Sequence, residues 1–358
     1  MKNILYIGKY LGVIGGIERY MQKSAELLRQ NGFNVHYLYT DSEVKNSEEF
    51  SSSFDSIEFF SQDCRWLKEA DLVVLHNIIP VQLLKLLPQN KTVFFAHDHN
   101  IYCRRHHYYT PIGRKNCHRK YNFLRCMFCD LKRNSAPPLA EYCKLPALVL
   151  SDFMRENLLK NGFQKVVKIS PFVKVKSEEH IFAPNKVLRL LFLGQLIRGK
   201  GADLMLKSLA ELDVPFVCTI AGDGSDRTML ENMVKQLQLE DKVKFVGFVN
   251  DTEKLWTNCD VFLFPIRWQE PFGLVAIEAM AHGLPIVAYN LGGVGEYLSD
   301  RNGVLVAEKQ SFAPALKKLY NSVETMNKMG KNSLEIVKEK FSEERFIEEF
   351  KALQEVLK

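Results

Sequence analysis

Short apolar runs alternate with amphipathic stretches along almost the whole chain. The first half has predicted strands at residues 3–8, 34–40, 71–77, 91–97, 147–151 and 166–172. Several of these runs are nearly continuously apolar, which is typical of parallel strands covered on both faces. Residues 17–32 carry apolar side chains at helical spacing and end at Gly32, so they predict an amphipathic helix. The pattern predicts an α/β domain with a doubly wound parallel sheet.

The alternation restarts after a polar segment at residues 173–186. Further strands are predicted at 187–194, 216–224, 242–249, 260–266 and 284–290, and helices at 201–212, 226–239, 252–259, 311–330 and 342–358. A chain of 358 residues exceeds one ordinary core, since a domain has roughly 100–200 residues. We therefore expect an N-terminal domain at 1–172, a linker at 173–186, a second domain at 187–340 and a C-terminal helix at 341–358.

Composition is that of a soluble globular protein, with 46% hydrophobic residues, 25% charged residues and a net charge of +6. No apolar run approaches the roughly 18–20 residues of a membrane span. The opening residues predict a first strand rather than a signal peptide. We therefore expect a cytoplasmic protein whose eight cysteines are thiols or metal ligands.

Two turns that follow predicted strands are suited to binding an anion. Gly15 and Gly16 open the first helix, where backbone N–H groups and the helix dipole attract negative charge. Lys200, with Arg198 nearby, lies between a strand and a helix of the second domain, where a cation suits a diphosphate. A tight turn and a solvated lysine are the competing interpretations of these two features.

The stretch EPFGLVAIE, residues 270–278, places one glutamate before a helix and a second glutamate within it. Backbone N–H groups at the first turn of this helix form another anion site. Glu278 lies among small apolar residues, where a carboxylate needs hydrogen-bond donors. An anion between two carboxylates that bind hydroxyl groups describes a nucleotide sugar, with its sugar, diphosphate and ribose.

These motifs resemble the retaining glycosyltransferases of family 4, the group 1 glycosyltransferases. The resemblance rests on residues 270–288 with GGVGE at 292–296, GGIE at 15–18, GxLxxxKG at 194–201, AGDG at 221–224 and FVGFV at 245–249. It covers nearly the whole chain. It implies the GT-B fold, in which two Rossmann-like domains with doubly wound parallel sheets face a cleft that binds the donor. It also implies that the helix at 341–358 crosses back to the first domain.

The resemblance also implies roles for individual residues. Glu270 holds the hydroxyl groups of the donor sugar, Glu278 binds the ribose, and Lys200 neutralises the diphosphate. His97 matches the family's histidine near the reacting sugar. The other implied donor-binding positions are Gly15, Gly16, Gln195, Arg198, Phe248, Phe272, Gly273 and Leu274.

One position departs from the family pattern. The family usually has Arg directly after the first glycine of GxLxxxKG, whereas this chain has Gln195. One phosphate cation is therefore missing, and Arg198 is the candidate to replace it. The implied reaction transfers a hexose from a UDP- or GDP-type donor with retention, by attack on the front face of the sugar. Glu270 positions the sugar, and catalysis requires no metal or other cofactor.

Residues 101–134, which we name the basic arm, carry nine Lys or Arg and one acidic residue, Asp130. The basic residues are 104, 105, 114, 115, 119, 120, 125, 132 and 133. Aromatic residues lie between them. This composition favours an anionic acceptor, either an acidic glycan or a lipid diphosphate, and peripheral contact with the inner face of the cytoplasmic membrane. A solvated loop is the competing interpretation.

Four cysteines lie in the basic arm, at Cys103, Cys117, Cys126 and Cys129. Four thiolates can close a tetrahedral zinc site. Their spacing differs from that of a standard zinc finger, and His106, His107, His118 and Cys143 are alternative ligands. We expect either a structural zinc that orders the arm or unpaired thiols.

Two other functions remain to be weighed against a glycosyltransferase of bacterial surface polysaccharide synthesis. A nucleotide-sugar 2-epimerase of GT-B fold needs general acid and base groups, and His97 is the one candidate that the sequence offers. A nucleic-acid-binding zinc protein fits the basic arm, but it leaves the donor motifs without a purpose. We therefore expect no nucleic-acid partner.

Overall fold

The computed structural model describes residues 2–45, 47–105, 108–110, 115–130, 137–175, 182 and 187–357. The chain divides into two compact units, which we name the first unit (Met1–Ser170 with Glu343–Lys358) and the second unit (Pro171–Ser342). Most of the predicted linker at 173–186 lies outside the described residues.

The first unit is an α/β unit built on a parallel sheet. Its strands are β1 (Asn3–Gly8), β2 (Leu11–Gly12), β3 (Asn34–Tyr39), β4 (Val44–Lys45), β5 (Ser56–Phe59), β6 (Leu72–Leu75), β7 (Thr92–Phe95), β8 (Ala147–Val149) and β9 (Val166–Lys168). Its helices are α1 (Gly16–Gln30), α2 (Ser47–Ser52), α3 (Trp66–Glu69), α4 (Val81–Leu84), α5 (Phe123–Cys129), α6 (Leu139–Tyr142), α7 (Asp152–Lys160) and α14 (Glu343–Leu357).

The second unit repeats the architecture. Its strands are β10 (Leu188–Leu193), β11 (Phe216–Ala221), β12 (Val243–Gly247), β13 (Val261–Phe264), β14 (Ile286–Tyr289) and β15 (Gly303–Val306). Its helices are α8 (Ala202–Ala210), α9 (Arg227–Gln236), α10 (Glu253–Thr257), α11 (Leu274–Ala281), α12 (Ala313–Tyr320) and α13 (Val323–Lys340). Short 3-10 turns span Gln89–Lys91, Arg198–Lys200 and Gly292–Glu296.

Both main sheets are parallel and doubly wound, as the sequence predicts. Among the described residues, the order in the first unit is β5-β3-β1-β6-β7-β8-β9, and that in the second unit is β12-β11-β10-β13-β14-β15. In each sheet the chain starts at an inner strand and adds the next two long strands on one side of it. It then adds the remaining strands on the other side. The order therefore reverses at β1 and β6, and at β10 and β13. Ligands bind outside the carboxyl ends of strands at such a switch point.

The strands carry the apolar core because both faces of each sheet are covered. Leu5, Ile7, Val73 and Leu75 are buried in the cluster that fills the first unit. In the second unit Val261, Phe262, Ile286 and Val287 are completely buried. Continuous burial of this kind matches the unbroken apolar runs of these strands. No helix in the described part of the chain is both long and apolar enough to span a bilayer.

The expectation that a helix ends at Gly330 is wrong. The segment 311–330 contains α12 and the start of α13, and α13 continues through Gly330 to Lys340. Ser322 is the N-cap of α13, and its hydroxyl accepts the Thr325 N–H at 3.2 Å. A Cβ at Gly330 would lie 2.2 Å from the carbonyl oxygen of Gly283. This glycine therefore permits close packing in mid-helix rather than terminating the helix.

The helix α14 belongs to the first unit. It buries Phe346, Phe350 and Leu353, and the Phe350 ring packs edge-on against Phe33 at 5.8 Å. The Glu349 carboxylate accepts both the backbone N–H and the hydroxyl of Ser170, at 2.6 and 2.9 Å. Apolar burial and two hydrogen bonds thus attach this helix to the first unit.

Candidate functional site

The carboxyl ends of β10 and β13 bring two loops of the second unit together. The loop after β10 runs through Gly194 to Gly201, and the loop after β13 runs through Glu270 to Gly273. Arg267 N–H donates to the Gly199 carbonyl at 2.9 Å. The Arg267 guanidinium also contacts both carboxylate oxygens of Asp203, at 2.6 and 2.5 Å. These bonds hold the two loops in one arrangement.

Lys200, Glu270 and Trp268 form one cluster at this edge. The Lys200 ammonium lies 3.1 Å from Glu270 Oε2, and the Trp268 indole N–H donates to the same oxygen at 3.0 Å. The ammonium also lies 5.1 Å from the centre of the Trp268 ring. The carboxylate side chain is 12% exposed and the ammonium side chain 23% exposed. The sequence predicts separate roles for Lys200 and Glu270, and the structure pairs them.

Glycines make this close packing feasible. A Cβ at Gly199 would lie 1.8 Å from the Trp268 ring. Gly292 has a φ of +66°, and a Cβ there would lie 2.1 Å from the Glu270 carbonyl oxygen. That oxygen accepts the Gly293 N–H at 2.8 Å. The GGVGE segment therefore packs directly on the backbone of Glu270, which fixes the position of the carboxylate.

The helix α11 begins beside this cluster. Gly273 is its N-cap, with a φ of +95°, and a Cβ there would lie 2.9 Å from the Phe264 ring and the Tyr297 hydroxyl. The first N–H groups of a helix have no partner within the helix, so the backbone from Phe272 to Leu274 can donate to an anion. Phe272 is buried, which anchors the turn.

Glu278 lies one turn into α11. Its neighbours Ala276, Ile277, Ala279 and Met280 are buried, whereas Glu278 itself is partly exposed. Within residues 276–280, Glu278 is the one partly exposed residue, so its carboxylate is accessible to a ligand. The second unit thus combines a cation, two carboxylates and a helix N-terminus, which suits a molecule with a phosphate and several hydroxyl groups.

Three other predicted donor positions of the second unit are exposed. Gln195 and Arg198 are exposed on the loop after β10. Leu196 between them is buried, and its N–H donates to the Asp223 carbonyl at 2.9 Å. Phe248 is 62% exposed directly after β12. A large exposed aromatic side chain can stack on a planar ligand.

The predicted glycine turn of the first unit has an internal partner. The Gly15 N–H donates to Glu18 Oε2 at 3.0 Å, while Gly16 is exposed at the start of α1. Glu18 is buried, and burial raises the pKa of its carboxyl group although backbone N–H groups oppose this. The carboxylate caps the helix, so the Gly15 N–H is available to a ligand only when Glu18 moves.

His97 lies at the carboxyl end of β7 and pairs with His76, which follows β6. His76 Nδ1 and His97 Nε2 are 2.9 Å apart. The His97 ring stacks on Phe95, with centroids 4.3 Å apart, and lies 5.3 Å from the Tyr20 ring. Burial lowers the pKa of His97 to about 3. Burial lowers the pKa of His76 well below its usual range, and His97 adds to this effect. Both rings are therefore neutral near pH 7.

The direction of the bond between the two rings follows from the surroundings of His76. Its Nε2 is buried and makes no hydrogen bond within the part of the chain that the structure describes. A buried N–H without a partner is rarer in proteins than a buried acceptor without one. We therefore assign the shared proton to His76 Nδ1, which leaves His76 Nε2 without a proton and makes His97 Nε2 the acceptor. The other nitrogen of His97, Nδ1, is then an N–H donor.

His76 is absent from the residues that the sequence singles out. The sequence does contain a signal for this pair, because DLVVLH ends an apolar strand with His76 and TVFFAH ends another with His97. The two strands are parallel neighbours in register, so their ends meet at one edge. A comparison of strand ends would have found the pair.

The cysteines of the basic arm lie near one another. The thiols of Cys117 and Cys129 both act on the pKa of Cys103, which burial raises to about 11. Burial also raises the pKa of Cys129, where the thiols of Cys126 and Cys117 add to the effect. Within the described ranges, however, no three His, Cys, Asp or Glu residues are arranged to hold a metal ion. The zinc site stays a prediction, and His106, His107, Arg114, Lys132 and Arg133 lie outside the described residues.

Comparisons with known proteins agree with this architecture. The family model of glycosyl transferases group 1 matches residues 174–335. An uncharacterized glycosyltransferase of Methanocaldococcus jannaschii is 35% identical over 156 residues, which are 42% of this chain and 39% of that protein. The chain spans about half the length of the curated relatives that it matches.

Solved structures match over the whole chain. A glycosyltransferase from Rickettsia africae has a TM-score of 0.76 at 18% identity, covering 100% of this chain and 99% of that one. The Anabaena protein HepE in complex with UDP and glucose has a TM-score of 0.73 at 18% identity, covering 99% of both chains. The chain therefore has the α/β GT-B fold with two Rossmann-like units, and residues 174–335 are similar to the glycosyl transferases group 1 family.

Proposed function

We propose that this protein transfers a hexose from a nucleotide-diphosphate donor to a glycan or lipid-linked acceptor, with retention at the anomeric carbon. The observation that carries the proposal is the cluster of Lys200, Glu270 and Trp268 beside the N-terminus of α11. The Anabaena neighbour binds UDP and glucose, so a UDP-type donor is the first candidate and a GDP-type donor the second.

The donor is divided among the groups of the second unit. The N–H groups of the first turn of α11 and the Lys200 ammonium receive the diphosphate, since both carry positive charge. When the diphosphate engages Lys200, Glu270 Oε2 loses a partner 3.1 Å away and accepts from hydroxyl groups of the sugar instead. Glu278 receives the ribose hydroxyl groups. Lys200 and Glu270 each exchange one partner for another, so neither buried charge is left uncompensated.

The chemistry is an attack on the front face of the sugar. The acceptor oxygen bonds to the anomeric carbon as the bond to the diphosphate breaks, and the leaving diphosphate takes the acceptor proton. Glu270 holds the sugar in position, while Lys200 and the helix N-terminus stabilise the charge that develops on the diphosphate. No metal is assigned to this step.

His97 acts as a neutral group in the proposed reaction. With its pKa at about 3, the ring stays uncharged at pH 7, and its Nδ1 offers an N–H to a sugar or acceptor oxygen. A neutral imidazole that donates one hydrogen bond serves positioning rather than general acid catalysis. The acceptor is proposed to be anionic because the described part of the basic arm exposes Lys115, Arg119, Lys120 and Arg125.

A thermal-shift panel with UDP, GDP, ADP, CDP and dTDP tests the donor assignment. A ligand at 100 times its dissociation constant adds about 2.7 kcal/mol of stability, which is about 5–10 °C for a unit of this size. We expect one nucleotide to produce this shift and Glu278→Ala to lose it. Glu335→Ala, an exposed position on α13 of the same unit, is the matched control. No shift with any nucleotide would contradict the proposal.

Turnover separates a transferase from a nucleotide-sugar epimerase. We expect nucleoside diphosphate release from the donor to depend on added acceptor, and Glu270→Gln to reduce kcat/KM at least about a hundredfold. Release or isomerisation without acceptor would favour the epimerase. Near wild-type turnover of Glu270→Gln would remove the carboxylate from the mechanism.

A further inference from the structure

The helix α5 of the basic arm exposes three large apolar side chains. Phe123 is 52% exposed, Leu124 62% and Phe128 70%. Single exposed apolar residues are common on protein surfaces, but three on one short helix form a contiguous patch. We name these three residues the α5 patch. Such a patch marks a surface that contacts something other than water.

The opposite side of α5 fixes which way the patch points. Cys126 and Cys129 are partly buried, and at three residues apart they share one face of the helix. The Asn122 side chain caps the helix by accepting the Arg125 N–H at 3.1 Å. The cysteine face therefore turns inward, and the α5 patch turns outward.

Cations surround the α5 patch. Lys115, Arg119, Lys120 and Arg125 are all exposed, and none of them forms an ion pair within the described portion of the arm. Across the sixteen positions from 115 to 130, Asp130 is the one acidic residue. An apolar patch with a border of unpaired cations complements a surface that is apolar inside and anionic at its face.

We propose that the α5 patch inserts into the interface of an anionic lipid bilayer. The three apolar side chains enter the boundary between headgroups and acyl chains, and the four cations contact the headgroups. A membrane fits better than an acidic protein surface because the apolar side chains project outward and need a deformable apolar medium. The inference rests on the proposed function and deepens it, since it places the acceptor on a membrane.

Vesicle sedimentation tests the inference with the full chain. We expect binding to phosphatidylcholine vesicles that contain phosphatidylglycerol and at least about tenfold weaker binding to pure phosphatidylcholine. A variant with Phe123→Ser, Leu124→Ser and Phe128→Ser should bind the anionic vesicles at least about tenfold more weakly. Replacement of Arg119 and Lys120 by Gln should also weaken binding and reduce its dependence on salt.

A matched variant replaces three exposed apolar residues elsewhere in the first unit, with Val44→Ser, Phe59→Ser and Leu86→Ser. These side chains are 53%, 53% and 45% exposed, and this variant should bind vesicles like the wild type. Hydrogen-exchange protection of the β1 and β6 amides, preserved in both variants, shows that the first unit is folded in both.

Three outcomes would overturn the inference. The first is no binding of the wild-type protein to anionic vesicles, and the second is equal binding by the wild type and the α5 patch variant. The third is a dimer, seen by light scattering, that the α5 patch variant abolishes while vesicle binding is absent, because the patch would then join two copies of the chain. Loss of nucleotide binding with intact vesicle binding would instead overturn the proposed function alone.

Discussion

The neutral pair of His76 and His97 predicts that the first unit loses stability as the pH falls. Burial holds the pKa of both rings below the value of an exposed histidine. In the unfolded chain each ring returns to a pKa of about 6.5. The unfolded state therefore binds more protons than the folded state at acid pH, so protonation favours unfolding.

The magnitude follows from the pKa of His97. Its contribution to stability is fully present above pH 6.5 and is lost as the pH falls below that value. With a folded pKa of about 3, the loss between about pH 8 and pH 5 is about 2 kcal/mol. His76 adds a loss of the same sign. A loss of this size is a large part of the stability of an ordinary domain.

Hydrogen exchange of the β1 and β6 amides measures this loss in the first unit alone. We expect the opening free energy of these amides to fall by at least about 2 kcal/mol from pH 8 to pH 5, after correction for intrinsic exchange. A double variant, His76→Gln with His97→Gln, should show a much flatter dependence on pH. His118→Gln, at an exposed position of the same unit, should keep the wild-type slope.

NMR can follow the protonation of the His97 ring directly. The Cε1 proton of His97 should show no titration between pH 8 and pH 5, because the ring remains neutral over that range. A His97 pKa near 6.5, or an unchanged pH dependence in the double variant, would refute the interpretation that burial keeps this pair neutral.

Three further predictions concern the second unit and the arm. Lys200→Met leaves the Glu270 carboxylate without its cation, so we expect a loss of about 1–3 kcal/mol of stability and of the nucleotide-induced shift in Tm. Gly199→Ala adds a Cβ that overlaps the neighbouring indole ring, and we expect calorimetry to show a loss of more than about 2 kcal/mol. Elemental analysis of the purified protein distinguishes the two expectations for the arm: a structural zinc gives one zinc per chain that is lost in Cys129→Ser, and unpaired thiols give none.

The glycine and zinc predictions each have an internal control. Gly194→Ala, where the nearest atom would be 3.8 Å away, should stay within about 0.5 kcal/mol of the wild type. Cys143→Ser removes a thiol that lies 3.7 Å from the Asn161 carbonyl oxygen, and it should keep the zinc. Less than about 0.2 zinc per chain would contradict the metal prediction, and equal stability of the two glycine variants would contradict the packing argument.

The regular parts of the fold can be predicted from the sequence because burial on both faces leaves unbroken apolar runs. The apolar pattern does not predict the strands β5 and β15. Both lie at the edge of a sheet, and their side chains are largely exposed or partly exposed. An edge strand needs little apolar surface, so its sequence resembles a loop.

The candidate site can be predicted less completely, since residue types do not reveal which partners meet. The motif spacing identifies Lys200 and Glu270 as ligand-binding residues, but their pairing depends on the packing of two loops around Gly199 and Gly292. Similarly, the Gly15 turn resembles a free anion site, although the carboxylate of Glu18 already accepts its N–H. Such competition between a ligand and an internal partner appears only in three dimensions.

The attachment of α14 to the first unit has a consequence for the order of folding during synthesis. The second unit lies in sequence between the two segments of the first unit, so the ribosome makes it before it makes α14. The second unit can thus fold while the surface of the first unit around Phe33 is still uncovered. A nascent chain halted before residue 343 would present that apolar surface to chaperones, and release of α14 would then complete the domain that began synthesis first.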